Sequence, residues 1–205
     1  RSPDFDRHDV MDQVTCPPMV ATEPPLILAR QKALDIIEGR IERDEARPED
    51  PYLRARALVG LGRTQEGAEI LLGLAELGID ARMTVEGALL LDEAGESQHA
   101  LALLRAFLAR SQAEAVVNEE YARILLEARL VEARDPAEAV RHLRFLLADV
   151  SEDEEAAALA FRVRLVDALF ATGEVAEARA LLQALAKSDR DDHRVEQRWR
   201  RYMES

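Results

Sequence analysis

The side chains able to do covalent or metal chemistry are few and scattered. The four histidines, His8, His99, His142 and His193, are far apart in the chain, and none forms the His-x-x-x-His pattern that would set two ligands on one helix face. Cys16, the one cysteine, lies between Thr15 and Pro17, so neither an internal disulfide framework nor a multi-cysteine metal site can be built. No glycine-rich phosphate loop and no Gly-x-Ser-x-Gly elbow occurs. The carboxylate runs Glu152-Asp153-Glu154-Glu155 and Asp191-Asp192 could pose as catalytic pairs or calcium ligands. They read instead as helix starts, where the macrodipole favours negative charge. No catalytic residue, metal or cofactor is expected.

Composition narrows the partners. With 27 Lys and Arg against 40 Asp and Glu, the 205 residues carry a net charge of −13. A phosphate-binding surface needs clustered cations, so nucleic acid is not an expected partner. Charged residues interrupt every apolar run before it reaches the roughly 20 residues a membrane span requires. The polar faces mix arginine with carboxylates, unlike the basic face of a membrane-surface helix, and membrane insertion is not expected. A soluble chain is indicated, with the cytoplasm favoured. Because the first residue is Arg1 and not methionine, the chain is expected to be processed or excised from a longer one.

The elements that position these side chains are helices. Alanine (34) and leucine (29) dominate, and both are strong helix formers. Seven of the eight prolines fall within the first 51 residues. Residues 1–25 are therefore expected to form an extended N-terminal arm, with Pro17-Pro18 and Pro24-Pro25 enforcing extended backbone. From residue 26 apolar residues recur at helical spacing. Ten helices are predicted, at about 26–45, 51–62, 65–77, 80–94, 97–110, 114–133, 136–148, 152–171, 174–187 and 190–203. Asp135-Pro136 followed by Glu138, and Ser151 followed by Glu154, are N-terminal capping signals. Gly62, Gly78, Gly95 and Gly173 stand where helices should stop.

Four turns begin self-similar segments. A small residue at 67, 100, 139 and 178 is followed four positions later by leucine, at 71, 104, 143 and 182. The period is 33, then 39, then 39, the range of helix-pair arrays. The small residue lets the second helix of each pair approach the first, and the leucine one turn on fills the gap between pairs. Helix 190–203, with Val195, Trp199 and Tyr202 on a narrow stripe, suits an end cap.

These residues resemble the tetratricopeptide repeat family over about residues 49–187, as four degenerate units. The best matches are Ala88, Leu91, Gly95, Ala100 and Leu104, then Leu165, Leu169, Gly173, Ala178 and Leu182. Units one and two have Ala55 and Ala88 at the small position of the first helix. Counting in the same register puts Glu127 and Val166 there in units three and four. The resemblance implies an all-α fold, a right-handed superhelical α-solenoid of about ten helices with an N-terminal arm, the repeat domain spanning 26–205. It also implies a concave groove lined by the first helix of each pair. In this register the groove positions are Tyr52, Arg56 and Val59, then Arg82, Val85, Leu89 and Asp92, then Ile124 and Ala128, and last Val163, Asp167 and Phe170. The lysine and asparagine with which some members clamp a terminal carboxylate are missing.

The function expected from this is a non-enzymatic interaction module, an adaptor, scaffold or assembly factor that binds a protein or peptide partner. Two alternatives stand beside it. One is an accessory or regulatory domain of a larger enzyme. In the other, residues 1–25, with Phe5, Val10, Met11 and Val14, occupy the groove or exchange between copies to form a homodimer.

Overall fold

A computed structural model of the chain describes residues 24–112, 114–150, 155–189 and 191–204. The expected arm lies outside these residues except for Pro24 and Pro25. Those two prolines open a helix rather than extend the chain: α1 spans Pro24–Glu42. Proline fits the first turn because that turn has no N–H partner to lose. The following helices are α2 (Asp50–Gly60), α3 (Thr64–Leu77), α4 (Ala81–Glu93), α5 (Ser97–Leu108) and α6 (Ala115–Glu127). A 3₁₀ turn at Val131–Ala133 precedes α7 (Pro136–Asp149), α8 (Glu155–Thr172), α9 (Val175–Ser188) and α10 (His193–Met203). The described residues hold no strand, and the architecture is an all-helical array of stacked hairpins.

Local chemistry sets many of the boundaries. The Asp135 carboxylate accepts from the Glu138 N–H at 2.8 Å, with Pro136 as the first helical residue. Asp80 and Asp192 cap α4 and α10 in the same way. Gly62, Gly78, Gly95 and Gly173 all adopt positive φ at helix ends, a conformation that only glycine reaches without steric cost. The capping signal at Ser151 and Glu154 lies outside the described residues.

The small-plus-leucine pattern is the core. Gly67, Ala100, Ala139 and Ala178 are all buried, and Leu71, Leu104, Leu143 and Leu182 are at most 1% exposed. Burying each such leucine supplies roughly 1.5–3 kcal/mol. One apolar cluster runs from Tyr52 on α2 to Ala178 on α9, and smaller clusters seal the ends around Leu34 and Leu58 and around Val166 and Val195. Glycine at 67 is a steric demand, because a Cβ there would lie 2.5 Å from Val59 Cγ2 and 2.8 Å from the Ala55 carbonyl oxygen.

One unit departs from the expected register. The helix predicted over 114–133 stops at Glu127, because Ala128 turns to extended backbone and the 3₁₀ turn follows. The connector before α7 is thus longer than the turns after α2, α4 and α8. Thr84, Gly87, Ala88 and Leu91 of α4 correspond to Asn118, Tyr121, Ala122 and Leu125 of α6, each pair 34 residues apart. Thr84, Ala88 and Leu91 are buried, as are Asn118, Ala122 and Leu125. The small residue of unit three is therefore Ala122, not Glu127, which is exposed.

Ion pairs bridge successive elements. Arg40 Nε donates to Asp50 Oδ2 at 2.9 Å between α1 and α2, and Arg123 faces Asp92 at 3.4 Å between α6 and α4. On α10, Arg198 reaches Asp167 of α8 at 2.8 Å, and the Tyr202 hydroxyl donates to the same carboxylate at 3.0 Å. Tyr202 also stacks on Phe170, with ring centroids 4.0 Å apart. These contacts, with the burial of Val195, fasten α10 as the terminal cap.

Candidate functional site

The expected groove residues divide into two sets. Ile124, Val59 and Ala128 are fully buried, and Val163 is buried within the α8–α10 cluster. They form core, not groove. For Ile124 and Ala128 the reason is the longer α6–α7 connector: counting back a fixed distance from the turn at Arg134 assigns them to a face that α6 turns inward. Asp92 and Asp167 are also buried, and each carboxylate is consumed by structure. Asp92 Oδ1 accepts from Ser97 Oγ at 2.6 Å and from the Arg129 N–H at 3.0 Å. Asp167 anchors Arg198 and Tyr202, and half-buried Phe170 is committed to the Tyr202 stack.

The second set comes together across α2 and α4. The Tyr52 ring is buried, and its hydroxyl donates to Glu86 Oε2 at 3.0 Å. Arg82 Nε donates to the other Glu86 oxygen at 2.9 Å. The Arg56 guanidinium lies 5.6 Å from the Tyr52 ring centroid, within cation–π range. The Arg82 guanidinium, and after it the Tyr52 hydroxyl, hold the Glu86 carboxyl below its ordinary value. Arg82, Glu86 and Leu89 share a helix face at i, i+4 and i+7; Leu89 and Val85 are half-buried, and Arg56 and Arg82 are exposed. Sequence reasoning missed Glu86, the residue that ties the group together, although the Arg82-to-Glu86 spacing is that of a helical ion pair.

It also missed a cluster between α5, α6 and α7. Arg105 Nε donates to the Tyr121 hydroxyl at 2.7 Å, and that hydroxyl donates to Glu138. The His142 ring meets Tyr121 edge-on at 5.0 Å, and its Nε2 is buried with no hydrogen-bond partner. Burial pushes the His142 imidazole below its ordinary value, which keeps the ring neutral at pH 7. The clue available from sequence was the 34-residue correspondence that sets Tyr121 against Gly87.

All three tyrosines of the chain share one electrostatic signature. Burial, reinforced by Glu86, Glu138 and Asp167 respectively, pushes Tyr52, Tyr121 and Tyr202 up to about 12. The folded value lies above the unfolded one of about 10. The neutral phenols therefore favour the fold fully below about pH 10, and that contribution is lost as pH rises through about 12. At about pH 11 the native protein should show little tyrosinate ultraviolet absorbance, and denaturant should restore it. Full tyrosinate absorbance in the native protein at that pH would contradict the three tyrosine hydroxyl–carboxylate pairs.

Among the described residues no group of three or more His, Cys, Asp and Glu is placed to hold a metal ion. His99 and Glu96 stand at Glu-x-x-His spacing and touch, Nδ1 to Oε2 at 2.9 Å, but no third ligand joins them. No described helix is long and apolar enough to cross a membrane. A broad surface groove of about 870 Å³ lies between α9 and α10 beside Trp199.

An array of stacked helical hairpins is the class of protein this geometry defines. The family model described as tetratricopeptide repeat matches residues 130–197, so the α7–α10 portion of the array is similar to tetratricopeptide repeats. No curated protein and no solved structure matches the chain. Tetratricopeptide repeats generally mediate protein–protein interactions and are typically non-enzymatic modules.

Proposed function

We propose that the chain is a non-enzymatic adaptor, scaffold or assembly factor that binds a partner segment across the face shared by α2 and α4. Arg56 and Arg82 supply charge-assisted hydrogen bonds, Leu89 supplies apolar contact, and Glu86, itself held by the buried Tyr52, keeps Arg82 in place. The observation that carries the reading is the Arg82 side chain, 88% exposed and paired with Glu86. A guanidinium offers planar, bidentate donors to a carboxylate or a backbone carbonyl, and its anchor lowers the entropy lost when a partner binds.

Affinity capture with crosslinking from the source organism identifies the partner and the face it touches. Replacing Arg56 and Arg82 together by glutamate is then expected to weaken capture by about tenfold or more. Helicity should stay unchanged, because both side chains are exposed. Unaltered recovery by the doubly reversed protein would remove the α2–α4 face from consideration.

A further inference from the structure

A second face of the array, between α5 and α7, is built differently from the level where α3 meets α5. Where α4 passes between α3 and α5 it presents Gly87, and a Cβ there would already lie 3.2 Å from Leu103 and 3.3 Å from Leu71. The two second helices, α3 and α5, consequently pack on one another. Where α6 passes between α5 and α7, the corresponding residue is Tyr121. Its ring and the Arg105–Tyr121–Glu138 hydrogen bonds fill that level. α5 and α7 make no comparable helix contact, and α7 packs most extensively on α8. A bulky residue thus stands at the level where glycine lets α3 and α5 meet.

Beside it lies an open cleft with two adjoining lobes of about 490 and 300 Å³. Leu146 lies on one wall and Ala109 on the other, both shared between the lobes, with Asn118 on the floor. Phe145 lines both lobes and is 64% exposed. Isolated exposed apolar residues are ordinary on protein surfaces; this one borders a concave apolar space, the setting in which an aromatic becomes a binding anchor. The charge there also departs from the molecule as a whole. The chain carries −13, yet among the described residues the cleft is lined by Arg105 and Arg110 against one carboxylate, Glu138. Exposed Arg141 stands one turn before Phe145 on α7, on the same helix face.

We propose that the α5–α7 cleft is a docking site for a partner segment in which a bulky apolar side chain is flanked by carboxylates. The apolar side chain enters beside Phe145 and Leu146, and the carboxylates meet Arg141, Arg105 and Arg110. Charge complementarity selects the acidic flank: a basic segment would be attracted to the chain as a whole but repelled at this mouth. The site is independent of the α2–α4 face, and the two can be tested separately.

A random dodecapeptide library displayed on phage, selected against the full chain, tests the proposal. Enriched sequences are expected to pair Trp, Phe, Leu or Met with Asp or Glu. A synthetic peptide of the enriched sequence should lose about tenfold or more in affinity against Phe145→Asp and against Arg141→Glu, and keep its affinity for the protein reversed at Arg56 and Arg82. Both substituted side chains are exposed, so circular dichroism should be unchanged, and Arg141→Glu alone carries the test if Phe145→Asp misfolds. Failure to enrich any sequence, enrichment of basic or apolar-free sequences, or indifference to both variants would overturn the proposal. So would light scattering that shows a dimer dissolved by Phe145→Asp, since a second copy would then be the occupant. Peptides lost only on reversing Arg56 and Arg82 would overturn it too while leaving the α2–α4 reading intact.

Discussion

Gly67→Val is expected to lower stability by about 3 kcal/mol, at the upper end of what overpacking ordinarily costs. The first added carbon already lies 2.5 Å from Val59 Cγ2 and 2.8 Å from the Ala55 carbonyl oxygen. Backbone cannot swing aside as the end of a long side chain can, so α3 must lift from α2 and the leucine one turn on, Leu71, must leave its socket. Against a total stability of roughly 5–15 kcal/mol for a globular domain, that loss brings the amino-terminal hairpin close to unfolding. The same helix supplies a control of opposite sign. Nothing lies within 4 Å of a Cβ built on Gly73, so Gly73→Ala should stabilise by about 0.5–1 kcal/mol through helix propensity alone. Urea unfolding followed by far-ultraviolet circular dichroism reads both. An unmoved midpoint for Gly67→Val would mean that α2 and α3 do not touch there.

Asp92→Ala should cost about 3 kcal/mol, near the lower end of the range for breaking a buried charged pair. The buried carboxylate joins three segments: the end of α4, the first residue of α5 through Ser97, and, 37 residues on, the connector after α6 through the Arg129 N–H. Arg123 approaches its second oxygen. Removing it strands the Ser97 hydroxyl and the Arg129 amide away from an acceptor and leaves Arg123 with Glu120 alone. Asp92→Asn keeps one acceptor oxygen and is expected to lose about half as much. The comparison also decides what Asp92 is for. A ligand-binding aspartate would lose partner affinity with its thermal transition unmoved, whereas the buried clasp predicts a large shift in melting temperature for alanine and a smaller one for asparagine. Because the connector it holds leads into α7, the substitution should also loosen the wall that carries Phe145.

The two cases mark the division between what a linear reading of this chain can and cannot reach. Gly67 was found from the string of letters, as the first of four small residues each followed by leucine. Asp92 was found for the wrong reason, as a groove position, when its surroundings make it a clasp. Counting back a fixed distance from the turn at Arg134 carries Ile124 to the groove, and the structure buries it because the chain takes extra residues between α6 and α7. Phe145 and Tyr121 escaped notice, since nothing in their immediate neighbours distinguishes them from core aromatics.

Helix content, hairpin spacing, the buried small-and-leucine layer and the capping of α7 all followed from residues within a few positions of one another. Propensity, capping and periodicity are short-range effects, and they survive without knowledge of the rest of the chain. Which side chains face water is a long-range outcome. It rests on how closely one helix approaches another, hence on the volume of Tyr121 against that of Gly87 and on the length of a single connector. Those quantities compare residues 34 or more positions apart, and only packing in three dimensions brings them into the same place.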